Sequence, residues 1–375
     1  MFVNRKLRFG LFSLVVLALF AGWGGTGHSI ISKNAATLFP ASMQNFKTMG
    51  DYITAHCSDP DTRKSADKTE GPKHYIDIDY YPEFVANHTI TQSLDSLTTK
   101  YGSSVVTSQG TLPYWIVISF DSLRNAFARK DYTRANVFAS DIGHYVGDEH
   151  QPLHVTQNYD GGMTNQSGIH SRYETTLVGA YQAQLVYTNP TPEYVSNVAD
   201  YVFNATYKTF GYVDSVLRAD SITKAVTGST SGSAYTTSMW NMTGSFTINL
   251  MKEASFKTAS LIYTAWKDAG SPDATVTDVT ESDKHTSPNF KLSAYPNPFN
   301  GQITFSFTAP ADYSSNTSII IYNVYGAEID IIPGNNISGN SSVRYNASKL
   351  SSGVYFATLR SGGKAVSSMK FVAMK

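Results

Sequence analysis

Two different hydrophobic periods divide the 375-residue chain. Between residues 23 and about 270, apolar and aromatic residues recur at helical spacing, most clearly over 131–155 and 249–269. The second of these stretches runs into a Gly-Ser-Pro sequence, which is typical of a helix stop. Beyond about residue 290, apolar and polar residues alternate with a period of two in four runs, 302–308, 318–325, 354–360 and 369–375, and turn residues separate the runs. The pattern predicts a mainly α domain followed by a small all-β sandwich domain.

The same patterns predict where the domains begin and end. Residues 271–290 are polar, contain two prolines and have no period, so we interpret them as a linker between domains at 23–270 and 291–375. Residues 1–22 combine a basic start with a short apolar run from Leu11 to Phe20, which predicts a cleaved signal peptide. The alternative is a membrane anchor, for which the run is short.

Charge and cysteine content narrow the possible functions. The chain has 29 basic and 29 acidic residues, so no overall positive field attracts nucleic acid or an anionic membrane. A phosphate-bearing substrate stays possible, because bound metal ions supply positive charge locally. Cys57 is the single cysteine and has no partner for an internal disulfide, so we expect an exported protein stabilised by its core and its metals.

Histidine is concentrated in one part of the chain, since eight of the nine lie between residues 28 and 170. Two His-x3-carboxylate pairs, His144/Asp148 and His170/Glu174, each share one face if the segment is helical. His154 lies between the pairs. Zinc favours imidazole nitrogen and carboxylate oxygen, so these five residues predict metal binding. Four other histidines are interpreted as ordinary surface or core residues: His56, His88, His150 and His285.

A glycine-rich segment, Trp23-Gly-Gly-Thr-Gly-His28, lies in the expected cleavage zone of the signal peptide. Cleavage before Trp23 would make its α-amino group the mature N-terminus. That amine and the Trp23 carbonyl can chelate one metal ion together, with His28 nearby. Phe20 occupies a position where signal peptidase prefers a small residue, so the cleavage site stays open.

The C-terminal region resembles the type A sorting domain of the type IX secretion system. The resemblance rests on three segments and a basic last residue: Tyr295-Pro-Asn-Pro-Phe-Asn300, Ile321-Tyr-Asn-Val-Tyr-Gly326, Leu350-Ser-Ser-Gly-Val-Tyr-Phe356 and Lys375. It implies passage through the periplasm and outer membrane, then release or attachment to the cell surface, with the secretion machinery as a partner. A carbohydrate-binding or adhesive sandwich is the alternative. We expect no stable protein partner.

The N-terminal region resembles the zinc-dependent phospholipase C/P1 nuclease superfamily. The ordered matches are Trp-Gly-x-x-Gly-His from Trp23, His-x-Ile-Asp from His74, His-x3-Asp-x2-Gln-Pro-Leu-His from His144, and His-x3-Glu from His170. The resemblance implies a mostly helical domain that holds three zinc ions at the base of a cleft. It also implies hydrolysis of phosphodiesters by a hydroxide that bridges two of the ions.

The resemblance further implies a ligand set for each ion. Zinc one takes His74, His144, Asp148 and an aspartate, either Asp59 or Asp61. Zinc two takes His154, His170 and Glu174. Zinc three takes the amine and carbonyl of Trp23, His28 and the second oxygen of Asp148.

Asp61 and Asp148 are the catalytic candidates. Asp148 would bridge two ions, and Asp61 could assist as a general base. Asp61 is favoured over Asp59 because Asp-Thr-Arg-Lys resembles the Asp-x2-Arg/Lys sequence of bacterial relatives, and Asp59 then serves as a cap. Residues that could orient the imidazoles, or act as caps or surface charges, are Asp77, Asp79 and Asp141.

The sequence leaves the substrate open between two phosphodiesters. Gly168-Ile-His-Ser-Arg-Tyr-Glu174 resembles the Gly-Phe-His-Ser-Lys-Tyr-Glu of phospholipases, whereas the Asn-Leu-His-x2-Trp-Asp of nucleases is missing. This run favours a phospholipase C, with an S1/P1-type nuclease for single-stranded RNA or DNA as the alternative. In a third interpretation the metals are structural and the protein is a non-catalytic surface-binding module. Three tyrosines could flank a choline or stack a base, or belong to the core: Tyr75, Tyr80 and Tyr81.

Overall fold

The computed structural model describes residues 23–273 and 291–374, apart from short gaps at 310–316, 324–327, 335–338, 349 and 362–363. These residues form two compact units, divided between Ala274 and Thr275. The predicted signal peptide, most of the predicted linker, His285 and Lys375 lie outside the described residues.

The first unit is helical, as the sequence predicts. Its helices are α1 Gly24–Ala36, α2 Lys47–Ala55, α3 Asp59–Arg63, α4 Pro82–Asn87, α5 Leu94–Tyr101, α6 Ser103–Ser108, α7 Leu112–Ala128, α8 Tyr132–Glu149, α9 Ile169–Ser171, α10 Val178–Tyr181, α11 Val198–Phe210, α12 Val213–Thr227 and α13 Gly232–Asp268. None of the helices within residues 23–273 has the length and hydropathy needed to cross a bilayer.

Helix α8 forms the centre of this unit and packs against α1, α2, α7 and α13. The side chain of Asp131 caps its first turn by accepting a hydrogen bond from the Arg134 amide at 3.2 Å. From Ile142 to Glu149 every residue of α8 is buried, polar ones included. A helix with a buried polar end needs partners for those groups.

The sequence predicts one helix over 131–155, and this prediction is wrong at its end. Helix α8 stops at Glu149, and Pro152–His154 forms a separate 3-10 turn. Proline lacks the amide that continued helix requires, and the Gln151 side chain accepts from the Leu153 amide at 2.6 Å, which stabilises the turn. The helix predicted over 249–269 begins earlier, at Gly232, and ends as expected before Gly270, whose φ is +85°.

Helices α1 and α8 approach each other closely because Gly147 has no side chain. A Cβ at Gly147 would lie 2.8 Å from Nδ1 of His28 on α1. The imidazole of His28 therefore rests directly on the backbone of α8, where its ring stacks on that of His144 at a centroid distance of 3.9 Å. The chain thus brings two distant histidines together before any metal is considered.

The second unit consists of two antiparallel sheets, as the alternating pattern predicts. Its strands are β1 Lys291–Tyr295, β2 Gln302–Ala309, β3 Thr317–Asn323, β4 Glu328–Gly334, β5 Gly339–Asn346, β6 Gly353–Ser361 and β7 Lys364–Ala373. The strand orders are β1-β2-β5 and β4-β3-β6-β7. Alternate side chains of the strands, such as Phe305, Ile319, Leu359 and Phe371, form the core of this unit. The all-β part of the predicted fold class is confirmed.

Candidate active site

Six separate segments bring the predicted metal ligands together. The described residues include three groups of side chains whose possible ligand atoms lie within 4.8 Å of one another: His28, His144 and Asp148; Asp61, His74 and His144; His154, His170 and Glu174. Eight of the nine predicted ligand residues are therefore gathered in these groups. Trp23 is the ninth, and it is described below.

Asp148 lies between the groups and is fully buried. Its Oδ2 is 2.9 Å from Nδ1 of His74 and 3.3 Å from Nε2 of His144. Its Oδ1 is 3.3 Å from Nε2 of His28 and 3.7 Å from Nδ1 of His154. The two carboxylate oxygens thus face different sets of imidazoles, which is the arrangement that a bridging carboxylate requires.

Asp61 and Asp59 have different surroundings, although both belong to the short helix α3. Oδ1 of Asp61 lies 3.6 Å from Nδ1 of His74 and 3.5 Å from Nε2 of His144. Asp59 is exposed and accepts a hydrogen bond from His56 at 2.8 Å. The geometry therefore gathers Asp61 with the imidazoles and leaves Asp59 at the surface. The ligand role of Asp61 stays a prediction.

His154, His170 and Glu174 form the group at the other end of the cluster. Oε2 of Glu174 lies 3.0 Å from Nε2 of His170 and 3.4 Å from Nε2 of His154. His170 belongs to α9 and Glu174 to the following π-helical turn, Arg172–Leu177. π-helical turns are frequent at functional sites, and this one keeps both side chains on one face. Gln151 donates to Glu174 at 3.1 Å and fixes the carboxylate.

Backbone carbonyls orient three of the imidazoles. Nδ1 of His144 donates to the Cys57 carbonyl at 2.6 Å, Nδ1 of His154 to the His74 carbonyl at 2.6 Å, and Nδ1 of His170 to the Tyr159 carbonyl at 3.2 Å. A proton on Nδ1 leaves the lone pair on Nε2, which faces the cluster in each ring. The Ile76 amide in turn donates to the His154 carbonyl at 2.9 Å, so the segments of His74 and His154 hold each other.

Trp23 is buried immediately before α1. Its carbonyl accepts a hydrogen bond from the Gly27 amide at 3.0 Å, and its ring lies 5.6 Å from that of Tyr173, the neighbour of Glu174. The residue thus lies at the start of the helix that carries His28. Chelation of a metal by its amine and carbonyl stays a prediction.

The cluster fits a metal because buried polar atoms converge there without hydrogen-bond partners. Among the described residues, no hydrogen bond reaches Nε2 of His28, Oδ1 of Asp148 or Nε2 of His154. Buried polar groups are normally satisfied, and each exception needs a physical reason. Nitrogen and oxygen donors at a common centre are the ligands that zinc prefers.

Charge pairing holds the cluster together in the absence of metal. Burial opposes a charged imidazole at His144, but the carboxylates of Asp148 and Asp61 outweigh it and raise its pKa to about 10. Burial also disfavours the Asp148 carboxylate, yet the charges of His144 and His154 hold its pKa well below the usual range. Burial and the charge of His144 lower the pKa of His28. A divalent cation would therefore replace protons at this site.

A cleft of about 430 Å³ opens beside His74, His154 and His170. Its other wall includes Tyr75, Asp77, Tyr159 and Lys64, and the Lys64 ammonium lies 2.7 Å from Oδ1 of Asp61. Burial and the nearby Asp79 raise the pKa of Asp77 to about 7. The volume is sufficient for a small ligand or for part of a larger one.

The remaining aromatic candidates have core or surface roles. Tyr81 is fully buried, and its ring contacts Tyr101 at 5.1 Å. Tyr80 packs edge-on against Tyr81 and is 38% exposed, so only Tyr75 of the three tyrosines lines the cleft.

Two of the three aspartates proposed as supporting residues stabilise the surroundings. Asp79 accepts from the Thr156 hydroxyl and the Gln157 amide, both at 2.8 Å, and so fixes the loop after His154. Asp141 pairs with Arg63 at 3.0 Å.

Sequence reasoning missed Glu70. Its carboxylate is buried, and Oε1 lies 3.5 Å from Nε2 of His74. The spacing Glu70-x3-His74 is the same as in the two recognised pairs, with the order reversed, and this signal could have identified it.

Residues 23–261, which contain all nine predicted ligands, match the family model of the S1/P1 nuclease. The chain belongs to the S1/P1 nuclease family. This membership shows a phosphodiester-hydrolysing enzyme and confirms the superfamily that the ordered motifs indicate. The three groups of histidine and carboxylate side chains fit the zinc chemistry of this family.

Residues 293–374 of this S1/P1 nuclease family member match the secretion system C-terminal sorting domain. The second resemblance is therefore also confirmed, and it indicates export to the outer surface or the medium. A comparison with curated proteins gives no match.

Two solved structures are similar over most of this S1/P1 nuclease family member. One is the alpha-toxin of an avian Clostridium perfringens strain, with 12% identity, coverage of 94% of this chain and 95% of that chain, and a TM-score of 0.43. The other is the alpha toxin of Clostridium absonum, with 10% identity, coverage of 94% and 98%, and a TM-score of 0.37. Similarity at this level carries no argument about the substrate.

Proposed function

We propose that the helical unit is a zinc-dependent hydrolase of single-stranded nucleic acid, exported by way of the C-terminal domain. The observation that carries this proposal is the position of Tyr75, Asp77 and Tyr159 in the same cleft as the histidine and carboxylate groups. An aromatic surface stacks on any nucleobase, and a nearby carboxyl group can bond to the edge of the base. The phosphate next to that base would then lie beside the metal ligands.

The ligand sets support three zinc ions. His74, His144, Asp61 and one oxygen of Asp148 would hold the first ion. His154, His170 and Glu174 would hold the second. His28, the other oxygen of Asp148 and the amine and carbonyl of Trp23 would hold the third. The family match supports zinc, and the number three rests on the three ligand groups, two of which share His144.

Hydrolysis joins the oxygen of a water molecule to phosphorus and breaks the bond from phosphorus to the leaving oxygen, which takes up a proton. Zinc, when bound, provides a water that ionises near neutral pH and offsets the charge of the phosphate. Asp61 is positioned to accept the proton of the attacking water, since its carboxylate borders both His74 and the cleft residue Lys64. The Lys64 ammonium can bond a phosphate oxygen.

The phospholipid alternative is weaker once the side chains are considered. It rests on the run from Gly168 to Glu174, which is similar to that of phospholipases. Arg172 in this run pairs with Asp220 at 3.1 Å, and the buried Tyr173 hydroxyl bonds to Thr247 at 2.8 Å. Arg172 and Tyr173 therefore fix the π-helical turn and are not among the residues that line the cleft. Family membership also favours the nucleic acid.

A paired assay tests the proposal. The zinc-loaded protein beginning at Trp23 is given single-stranded DNA or RNA in one reaction and phosphatidylcholine vesicles in another, each with an EDTA control. We expect EDTA-sensitive cleavage of the nucleic acid. Release of phosphocholine alone would overturn the nuclease proposal in favour of the phospholipase. Hydrolysis of neither substrate by the folded, zinc-loaded protein would contradict both.

Two tyrosine variants test the role of the cleft. Tyr75→Ala removes a stacking surface worth about 1–3 kcal/mol, so KM for single-stranded DNA should rise roughly 5-fold or more. Tyr80→Ala is the matched control, because Tyr80 lies outside the cleft lining. Equal effects of both changes would contradict base stacking on Tyr75.

A further inference from the structure

We propose that Glu70 is a positioning residue that fixes the ring of His74 for metal binding through Nδ1. This inference rests on the proposed zinc site and adds a residue that the ordered motifs do not contain. Glu70 precedes the 3-10 turn Gly71–His74, so the turn carries the His74 ring back onto the Glu70 carboxylate.

The His74 ring lies between the carboxylates of Asp148 and Asp61 on one side and the carboxylate of Glu70 on the other. Its Nδ1 is 2.9 Å from Oδ2 of Asp148 and 3.6 Å from Oδ1 of Asp61, while its Nε2 is 3.5 Å from Oε1 of Glu70. His144 and His154, in contrast, face the cluster through Nε2 and donate Nδ1–H to carbonyls. His74 thus has the opposite orientation, and it needs its acceptor at Nε2.

Metal coordination at Nδ1 requires the proton of a neutral imidazole to be on Nε2. That N–H is buried, and among the described residues it has no hydrogen bond of normal length. Glu70 Oε1 is the acceptor in reach, and a contraction of a few tenths of an ångström would complete the bond. A carboxylate that accepts from a metal-bound imidazole fixes the tautomer and makes the ring a stronger ligand.

Glu70 is itself firmly held. Its Oε2 accepts from the Lys73 ammonium at 2.9 Å, and its Oε1 lies 3.3 Å from Nη2 of Arg63 and accepts from the Tyr145 hydroxyl. The carboxylate therefore stays in one place and in its charged form, which an orienting acceptor requires. The alternative is that Glu70 merely stabilises the fold through Lys73 and Arg63.

Glu70→Gln in the full chain separates these possibilities, with Asp141→Asn as the matched control. Both changes replace a carboxylate by an amide, and both carboxylates pair with Arg63. Only the first change alters the contact with His74. Zinc affinity is measured by competition with a chromophoric chelator, and the Tm of each protein is measured without metal.

We expect Glu70→Gln to weaken the binding of the zinc ion held by His74 about 10- to 100-fold. Asp141→Asn should leave all zinc affinities unchanged. Wild-type zinc affinity in folded Glu70→Gln, or equal losses in both variants, would overturn the role of Glu70. A wild-type protein that binds no zinc would refute the proposed function itself, which is a different outcome.

A measurement on the wild-type protein gives a second test that does not depend on the folding of a variant. In the zinc-loaded chain labelled with 15N-histidine, His74 should show a protonated Nε2 and an Nδ1 shifted by the metal. The rings of His144 and His154 should show the reverse. A protonated Nδ1 at His74 would overturn the proposal.

Discussion

Asp148→Asn is the change that most directly tests the bridging arrangement. The substitution keeps the size and shape of the side chain, but it removes the charge that lies between four imidazoles. Because Oδ1 faces His28 and Oδ2 faces His74 and His144, two of the proposed zinc ions share this residue. We therefore expect the variant to lose about two zinc ions, and hydrolysis of bis-p-nitrophenyl phosphate with them.

The pKa of His144 indicates how much stability Asp148→Asn should lose in the metal-free protein. Its rise from 6.5 to about 10 corresponds to a net stabilisation of roughly 5 kcal/mol, in which the nearby carboxylates outweigh the penalty of burial. Asp61 contributes part of this energy, so Asp148→Asn should lower the free energy of unfolding by about 3 kcal/mol. A raised histidine pKa stabilises the fold fully below pH 6.5, and this contribution is lost as the pH rises through about 10. The difference between the two proteins should therefore be larger near pH 6 than near pH 9.

Urea unfolding of the metal-free proteins measures the free energy, and elemental analysis after zinc loading and dialysis measures the zinc content. Asp220→Asn is the control, since Asp220 is also fully buried but pairs with Arg172. It should lose stability and keep the two zinc ions that Asp148 would share. If Asp148→Asn retains the wild-type zinc content and hydrolyses bis-p-nitrophenyl phosphate normally, the bridging role of Asp148 is refuted.

Three further outcomes are expected. Zinc loading near neutral pH should release protons, because the raised pKa of His144 keeps this ring protonated in the metal-free protein. Calorimetry in buffers of different ionisation enthalpy measures the number of protons released, and a value of zero would contradict this prediction. An extra residue before Trp23 should weaken one zinc ion, whereas an unchanged zinc count would argue against amine ligation. Deletion of residues 293–375 should block export and leave the purified activity intact; inactivity of the folded, truncated protein would mean that the β domain contributes to substrate binding.

The sequence predicts much of the site because local spacing carries part of the geometry. His144 and Asp148 lie four apart within α8, and the helical period alone brings them to one face. The two-residue alternation likewise identifies β2, β3, β6 and β7. It does not identify β1, β4 and β5: β1 has only five residues, β5 is mostly polar, and two isoleucines of β4, Ile329 and Ile331, are exposed.

Other features depend on tertiary contacts that spacing does not encode. The sequence favours Asp61 over Asp59 only through a resemblance to bacterial relatives, whereas the path of α3 turns Asp61 toward His74 and Asp59 toward His56. Glu70 is similar, because its importance comes from the turn that follows it. The end of α8 at Glu149, in contrast, has local causes, because Pro152 cannot continue the helix and the Gln151 side chain accepts from the Leu153 amide.

The two hydrogen bonds that join the segments of His74 and His154 have a consequence for metal uptake. Nδ1 of His154 donates to the carbonyl of His74, and the carbonyl of His154 accepts from the amide of Ile76. A zinc ion that orders one of these segments therefore also orders the other, and the conformational entropy of both segments is lost when the first ion binds. The first zinc ion to bind should make the second bind more tightly. During zinc uptake, few protein molecules should therefore hold only one of these two ions.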